Sequence, residues 1–452
     1  MRHDTLHRRH LLRSLAAGSM LLPGAIAELM AQEANPLAPK PGHFPAKAKR
    51  VIMLYMSGGT SHVDTFDHKP KLIADSGKKY RKDYLSGPRW KFAPNPKCGT
   101  MVSDLFPHMR TIMDQACVIR SMKTDFPNHT EASMALHGGS IRFPRPSFGS
   151  WVTYGLGTVN QNLPAFMVLA PEMPYSGSLV WDSVFLPATY QGVRVTPGAE
   201  PVPNIRQRDS DEIQSLKLGM VDAFNRQHLA QHGDDSYLAG RIKTFETAFG
   251  MQKEAPEAFD LSKETEATLK LYGMERGTTK GFGWQCLMAR RLAERGVRFI
   301  ELIDIGTLQL VNWDAHADMQ THVPLARNVD QAIAGLVTDL KSRGMLDETL
   351  VVWTTEFGRR PGDSIPEMAG RAHWANCYSS WMAGGGIKPG IVYGESDDYG
   401  YEVAKDLCHI HDFHATVLNQ MGLDHTKLTY RHDGRDYRLT DVEGRVIREI
   451  LS

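Results

Sequence analysis

The sequence has few cysteines, no excess of charge and no apolar run long enough to cross a membrane. Its 5 cysteines among 452 residues form no CxxC pair, which argues against a disulfide framework and against a cysteine-based zinc site. The formal net charge of +1 gives no broad attraction to nucleic acid or to an anionic membrane. We therefore expect no nucleic-acid partner.

Several common catalytic signatures are also absent from the sequence. There is no GxSxG, no HExxH, no GxxxxGK[ST], and no GxGxxG after an expected strand. These absences argue against an α/β-hydrolase-type serine hydrolase, a zincin protease, a P-loop NTPase and a classical dehydrogenase. What the chain does have is 19 histidines, the residue type that most often binds metals and transfers protons near pH 7.

The N-terminus has the pattern of an export signal. A basic segment at residues 7–13 is followed by an apolar stretch at 14–27 that ends in small residues. The stretch is shorter than the roughly 20 residues that span a bilayer, and the adjacent Arg8 and Arg9 resemble a twin-arginine signal. The alternative is a basic amphipathic helix or a chance arginine pair. We expect a signal at 1–27, a linker at 28–49, a periplasmic or secreted protein, and no stable membrane span after cleavage.

Apolar runs and helical periodicity alternate along the rest of the chain. Expected strands are 50–57, 116–121, 163–170, 297–303 and 349–355, and expected helices are 130–136, 281–295, 325–343 and 412–423. This alternation predicts an α/β fold in which a mostly parallel or mixed sheet is flanked by helices. We expect one domain at 50–452, in which the charged, helical segment 205–275 is an insertion or lid.

Polar residues follow the first expected strand, where open α/β sheets bind ligands. Ser61, His62 and Asp64 lie there within four residues of one another, and carboxylate and imidazole groups suit a divalent metal. The alternative is a turn in which Ser61 and Asp64 cap a short helix.

The second expected strand is followed by Thr124 and the sequence Asp-Phe-Pro-Asn128-His129-Thr130. A helix N-terminus can hold an anion, so Thr124 or Thr130 is a candidate nucleophile or oxyanion ligand. The equally weighted alternative is that Asn128 or Thr130 is only the N-cap.

Two further loops combine acids, histidines and arginines. Asp314 with His316, and Asp318 with His322, could each place two ligands on one ion, unless the loop is only a solvated lead into the next helix.

In the other loop, Glu356 ends a strand, His373 follows, and Arg359 and Arg371 could bind phosphate or sulfate oxygens. The alternatives are Glu356 as a helix cap and His373 as a surface residue. The HIHDFH sequence from His409 is interpreted as a helix start rather than as a metal site.

Six segments resemble the DUF1501 family of exported bacterial proteins: GGTSHVDTFDHKP, RPSFGSWVTYGLG, WDAHAD, TTEFGRRP, GRAHW and AGGGIKPG. The resemblance extends over nearly all of the mature chain. That family is similar to sulfatases and is grouped with the alkaline-phosphatase-like superfamily, which implies that fold and a divalent-metal centre. The resemblance places the metal ligands at Asp64, Asp314, His316 (or Asp318 and His322), Glu356 and His373, and the nucleophile region at 124–130.

The chain departs from the superfamily pattern in three ways. Phe357 stands where the superfamily has a metal-binding His or Asn, and Asp125 stands at the pyrophosphatase nucleophile position, with Thr124 one place off. The C/S-x-P-x-R signature that generates formylglycine is absent. These departures argue against a formylglycine mechanism and leave one of two metal sites incomplete.

The leading hypothesis is an exported, metal-dependent hydrolase of sulfate or phosphate esters, small or polysaccharide. One or two ions of Zn, Mn, Ca or Mg would polarise the ester and activate water or the hydroxyl of Thr124, Thr130 or Ser61. Arg359 or Arg371 would neutralise charge on the transferred group. The alternative is a catalytically impaired binding or scaffold protein of the same fold, for example for sulfated polysaccharide.

Overall fold

The computed structural model describes residues 35–203, 205, 209–232, 236–306 and 312–452 of the chain. The predicted export signal at 1–27 lies outside these residues. Among the described residues, no helix is both long and apolar enough to cross a membrane.

Ten helices and twenty strands are described. The helices are α1 (Pro70–Ala74), α2 (Pro107–Thr111), α3 (His129–Gly138), α4 (Phe148–Leu156), α5 (Asp211–His232), α6 (Ser236–Phe259), α7 (Glu266–Leu271), α8 (Phe282–Glu294), α9 (His322–Ser342) and α10 (Ile410–Gln420). The strands are β1 (Arg50–Met56), β2 (Lys79–Tyr80), β3 (Asp83–Leu85), β4 (Phe92–Pro94), β5 (Met101–Ser103), β6 (Ala116–Lys123), β7 (Phe166–Leu169), β8 (Val193–Val195), β9 (Phe299–Asp304), β10 (Thr349–Thr354), β11 (Gly358–Arg359), β12 (Gly362–Asp363), β13 (His373–Trp374), β14 (Tyr378–Ala383), β15 (Ile391–Tyr393), β16 (Glu395–Ser396), β17 (Val403–Lys405), β18 (Cys408–His409), β19 (Tyr430–His432) and β20 (Arg435–Tyr437).

A nine-stranded sheet forms the centre of the molecule. Its order is β15-β6-β14-β10-β1-β9-β7-β8, with β18 paired to β6. The pairings β10–β1, β1–β9, β9–β7 and β7–β8 are all parallel, and only β14 runs against the described strands of this sheet. The predicted α/β fold with a mostly parallel sheet is therefore confirmed, as are the five expected strands and the four expected helices, with shifts of a few residues at their ends.

Strand β1 explains why this sheet is buried on both faces. Ile52, Leu54 and Met56 pack into the core on the side of α8 and α9, whereas Val51 and Tyr55 pack into the core on the side of α4 and α10. Successive strand side chains point to opposite faces, so a continuous apolar run is the pattern of a strand covered on both sides.

The direction of the strands brings the polar loops to one edge. Because β1, β9, β10 and β6 point the same way, the residues that follow each of them lie at the same edge of the sheet. Strand β14 runs the opposite way, so the residues that precede it, including β13, lie at this edge too. The predicted site residues, which follow these strands in the sequence, therefore lie at one edge of the sheet.

The segment 205–275 contains the helices α5, α6 and α7 and no strand among its described residues. Helix α5 presents apolar side chains to solvent, among them Leu216 and Phe224. A role of this segment as a lid stays a prediction.

Candidate metal centre

Asp314 is the residue around which the candidate centre is built. Its Oδ1 lies 3.0 Å from His316 Nε2, 3.1 Å from His373 Nε2 and 2.6 Å from Arg359 Nη2. Its Oδ2 lies 3.2 Å from His129 Nε2. Burial alone would raise the pKa of Asp314, but the close contacts with His129 and His373 and the charge of Arg359 outweigh burial and lower it. Asp314 is therefore a carboxylate at any physiological pH.

Two glycines allow the loop after β1 to approach this carboxylate. Gly58 has a φ of 115°, and a Cβ there would lie 2.7 Å from the backbone nitrogens of Trp313 and Asp314. Gly59 has a φ of 77°, and a Cβ there would lie 2.6 Å from the ring of Phe357. Both positions therefore require glycine, for backbone conformation and for space.

His129 begins α3 and connects Asp314 to Glu356. Its Nδ1 lies 2.6 Å from Glu356 Oε1, which fixes a donated hydrogen bond to that buried carboxylate. Its Nε2 is buried and has no aligned hydrogen-bond partner in the described part of the chain, although Asp314 Oδ2 is within ion-pair distance. Burial lowers the pKa of His129, but the two carboxylates outweigh burial and raise it.

His373 and His316 face each other beside Asp314. Strand β13 pairs with β11 so that His373 stands opposite Arg359. His373 Nδ1 lies 2.9 Å from the carbonyl oxygen of Pro127, which can only accept, so Nδ1 carries a proton and Nε2 of the neutral ring carries the lone pair. That Nε2 lies 2.8 Å from His316 Nε2. Two ring nitrogens and a carboxylate oxygen thus meet in a small volume.

This donor set fits one divalent ion. Ligand atoms of His129, Asp314 and His373 all lie within 4.8 Å of one another, and His316 extends the group toward solvent. The orphaned Nε2 of His129 is a buried polar atom whose lack of a partner a bound ion would remedy. The far nitrogens of two rings are held by Glu356 and by a backbone carbonyl, which is the usual outer arrangement of metal-binding histidines.

Glu356 was predicted as a metal ligand, but in the structure its carboxylate contacts the far nitrogen of His129. Its carboxylate accepts hydrogen bonds from His129 Nδ1, from Gly58 N at 2.9 Å and from Thr355 Oγ1 at 3.1 Å. Burial raises its pKa, but the hydrogen bond to His129 outweighs burial, so the pKa is lowered and Glu356 is ionised. Glu356 therefore orients His129 and lies behind the ligand atoms.

Asp64 was also predicted as a ligand, but the structure does not bring it to this group. Its buried carboxylate pairs with Arg371 Nε at 2.7 Å and accepts hydrogen bonds from Ser61 Oγ at 2.5 Å and from Arg89 N at 2.8 Å. Burial raises its pKa, yet Arg371 and these hydrogen bonds outweigh burial and lower it. The hydroxyl of the candidate nucleophile Ser61 is thus engaged with Asp64.

Arg359 and Arg371 are both buried, and their guanidinium groups donate hydrogen bonds to carbonyl oxygens of the surrounding loops. Arg359 Nε donates to Gly59 O at 2.7 Å, and its Nη2 contacts Gly58 O and Asp314. Arg371 pairs with Asp64 and donates to Gly87 O at 2.9 Å. Neither guanidinium reaches the protein surface, so a direct contact of either with a transferred group stays a prediction.

The other candidate nucleophiles lie on either side of the turn that begins α3. Thr124 is buried, and its Oγ1 has no hydrogen-bond partner in the residues that the structure describes. Thr130 is exposed, and its N–H donates to the side chain of Asn128 at 3.1 Å. Asn128 is thus the N-cap, as one of the two interpretations predicted, and Thr130 is next to His129 in the same turn.

Three secondary candidates lie outside the centre. Asp318 caps the short 3-10 helix 319–321 by accepting from Gln320 N at 2.9 Å. His322 is buried against Trp313, and burial lowers the pKa of His322 to about 3. His62 bonds through Nε2 to Gly400 O at 2.8 Å and faces a separate group of residues.

The rings of Tyr175 and Phe357 pack against the histidines of the centre. The sequence pattern pointed to Phe357 but not to Tyr175. The Tyr175 ring stacks on His129 at 4.1 Å between centroids, and its hydroxyl accepts from Asn312 Nδ2 at 2.7 Å. Phe357 packs against His129 at 4.8 Å and against His373 at 4.6 Å. Tyr175 lies in an irregular loop, where no periodicity or motif marks it.

The chain is similar to the lipoteichoic acid synthase LtaP from Listeria monocytogenes, with 9% identity, coverage of 91% of this chain and 80% of that chain, and a TM-score of 0.37. It is also similar to the PsFucS1 sulfatase from Pseudoalteromonas sp., with 13% identity, coverage of 88% of this chain and 71% of that chain, and a TM-score of 0.36. A third similar structure is the alkaline phosphatase from the Antarctic bacterium TAB5, with 11% identity, coverage of 84% of this chain and 99% of that chain, and a TM-score of 0.36. No curated protein matches the sequence. The model of DUF1501, described as a protein of unknown function, matches residues 48–451, and the chain therefore belongs to the DUF1501 family.

Proposed function

We propose that the protein is a metal-dependent hydrolase of sulfate or phosphate esters. The observation that carries the proposal is the convergence of His129, Asp314, His316 and His373, with Glu356 behind the first histidine. A carboxylate and imidazole nitrogens gathered this closely suit a cation, and a site at the carboxyl edge of a parallel sheet lies where substrates bind.

The chemistry of the ligands favours a transition ion. Imidazole suits Zn²⁺ and its neighbours, whereas Mg²⁺ and Ca²⁺ take oxygen ligands. Three histidines with one carboxylate therefore favour Zn²⁺ over the Mn²⁺, Mg²⁺ and Ca²⁺ that the sequence left open. Because Asp64 is held by Arg371 and Phe357 offers no ligand atom, the residues here fit one ion rather than two.

The protein's own groups prepare the site in three ways. Bound there, a divalent ion supplies a Lewis acid that polarises an ester oxygen. Glu356 holds the Nδ1 proton of His129, so that Nε2 faces the centre. Arg359 donates hydrogen bonds to Asp314 and to the carbonyl oxygens of Gly58 and Gly59, which holds the loop after β1 next to the loop that carries Asp314. The ten-residue helix α3 begins at His129, so the positive end of its dipole lies beside the centre and favours an anionic group there.

The first experiment measures metal content and turnover in the same preparations. Protein loaded with Zn²⁺ or Mn²⁺ is assayed with aryl sulfates, aryl phosphates and phosphodiesters, beside the variants Asp314→Asn and His373→Ala. His108→Ala, an exposed histidine on α2, is the matched control. We expect both site variants to lose the ion and the turnover together, and the control to keep both. Turnover that survives in Asp314→Asn would contradict the proposal.

A second candidate function is an exported binding protein for sulfated polysaccharide. It is favoured by Phe357, which fills space between His129 and His373 where a further ligand would stand. The same preparations separate the two functions: binding of a sulfated polysaccharide without turnover of any ester, in fully loaded protein, supports the binding protein.

Export is part of the proposal and has its own test. We infer a twin-arginine signal from Arg8 and Arg9 and therefore a periplasmic or secreted location. Residues 1–49 fused to a reporter should direct its export, and replacement of both arginines by lysine should stop it. Export that is unchanged by the double replacement would exclude the twin-arginine route.

A further inference from the structure

A second group of ligand atoms lies at the start of α10, and no part of the proposed hydrolysis uses it. It consists of His409, His411 and Glu443, whose ligand atoms lie within 4.8 Å of one another. His409 Nδ1 is 3.9 Å and His411 Nδ1 is 3.6 Å from Glu443 Oε2. The sequence-based interpretation of this segment as a helix start is also confirmed, because His409 is the N-cap of α10.

The hydrogen bonds around the two rings show which nitrogens carry lone pairs. His411 Nε2 lies 3.2 Å from Gly139 O, a pure acceptor, so Nε2 holds the proton and Nδ1 the lone pair. His409 Nε2 lies 3.1 Å from Asp125 Oδ1, and its Nδ1 accepts a long hydrogen bond of 3.4 Å from His411 N. Nδ1 of His411 therefore presents a free lone pair toward the carboxylate of Glu443, whereas the lone pair of His409 Nδ1 is shared with this long hydrogen bond.

His411 supplies an independent sign of a missing partner. The residue is only 9% exposed, and its Nδ1 has no hydrogen-bond partner within the described ranges. The lone pair of His411 Nδ1 and the carboxylate of Glu443 lie 3.6 Å apart and repel each other, and a cation between them removes that repulsion.

Hydrogen bonds of the neighbouring backbone position the three groups for an ion. Asp412 Oδ2 accepts from His409 N at 3.0 Å, and its Oδ1 accepts from Arg445 N at 2.7 Å. One side chain thus fastens both the helix start and the turn that carries Glu443. The outer nitrogens are held by a carboxylate and a backbone carbonyl, which is the usual environment of metal-binding histidines.

The other His-containing group differs in its charge balance. His62, Asp67 and Cys377 also lie within 4.8 Å of one another. There, however, Asp67 already pairs with Lys69 at 3.2 Å and faces Arg120 at 3.9 Å. These two cations supply the positive charge that an ion would bring, so that group does not need one.

We propose that His409, His411 and Glu443 form a second, separate site for a divalent transition ion, which clamps the turn at 440–445 onto the start of α10. Two imidazoles with one carboxylate suit Zn²⁺ or Co²⁺ and leave a position open to water on the side of the exposed Glu443. The site borders a groove of about 820 Å³ that Asp125 and His411 help to line, so a bound ion would stiffen one wall of that groove.

Equilibrium binding of Co²⁺ at pH 8, followed by visible absorption and by dialysis, tests the site. Asp314→Asn removes the first centre, and Glu443→Gln or Glu449→Gln is then added. Glu449 is the matched control, because its side chain is 60% exposed against 63% for Glu443, and no histidine pairs with it among the described residues. Loss of outer partners alone weakens metal binding by about 10–100-fold, so loss of a ligand should weaken it by at least about tenfold.

The expected result is one Co²⁺ per chain in Asp314→Asn, at least tenfold weaker binding after Glu443→Gln, and no change after Glu449→Gln. Equal affinities of the two glutamine variants, or no ion bound in folded Asp314→Asn, would overturn the second site. If Asp314→Asn does not fold, Glu443→Gln in the otherwise wild-type chain should lower the stoichiometry from two ions to one. A stoichiometry of one that Glu443→Gln leaves unchanged would overturn the second site and keep the first.

Discussion

Replacement of Glu356 by glutamine separates an outer partner of the metal from a direct ligand. In the structure, Glu356 accepts the Nδ1 proton of His129 at 2.6 Å and lies behind that ring. Glutamine keeps one oxygen for this proton but loses the negative charge. We therefore expect metal affinity to fall by about tenfold, the lower end of the roughly 10–100-fold range for outer partners. That change equals about 1.4 kcal/mol of binding free energy.

The assay is competition for Zn²⁺ against a chromophoric chelator, with His129→Ala as the loss-of-ligand reference. The control is Glu301→Gln, because Glu301 is equally buried and bonds to His137 at 2.6 Å, outside any metal group found among the described residues. That variant should lower the thermal midpoint and leave affinity unchanged. Complete loss of binding in Glu356→Gln, with binding retained in His129→Ala, would refute the placement of Glu356 behind the histidine.

Three further predictions concern stability. Gly59→Ala should lower the free energy of unfolding by about 1–3 kcal/mol more than Gly99→Ala does, as measured by denaturant unfolding. Both glycines have a positive φ, but only at Gly59 would the new Cβ lie 2.6 Å from Phe357. Equal losses in the two variants would show that the contact with Phe357 is easily relieved. Asn128→Ala should cost about 1 kcal/mol through loss of the N-cap, and Asn128→Asp should restore it; an unchanged midpoint in the alanine variant would contradict the cap. Burial lowers the pKa of His137, but its buried carboxylate partner outweighs burial and raises it. The protonated pair therefore stabilises the fold fully below about pH 6.5 and loses this contribution as pH rises through the raised pKa, so the stability advantage over His137→Gln should shrink above pH 6.5; an advantage constant from pH 6 to 9 would contradict this.

The central sheet could be predicted because local pattern determines it. The runs that form β1, β9 and β10 are short and rich in apolar residues, which is the pattern typical of a strand covered on both faces. Gly58 and Gly59 then mark where β1 must end. Local sequence also placed Asp314 and His316 after β9, at the edge where ligands bind.

The roles of individual carboxylates could not be predicted, because they depend on neighbours distant in sequence. Asp64 pairs with Arg371, 307 residues away, and spacing in the sequence does not indicate that pairing. Glu356 meets His129 across 227 residues. His373 reaches the site because β14 reverses direction, and a strand's direction depends on the sheet it joins rather than on its own residues.

The position of bound zinc is the most direct test of the metal centre. Crystals of the full chain grown with Zn²⁺ should be measured on both sides of the zinc absorption edge, so that an anomalous difference map locates each ion. We expect a strong peak in contact with Nε2 of His129, His316 and His373 and with the carboxylate of Asp314, and no peak between Asp64 and Glu356. Zinc bound instead between Asp64 and Glu356, or a zinc-soaked crystal with no peak at Asp314, would contradict the account.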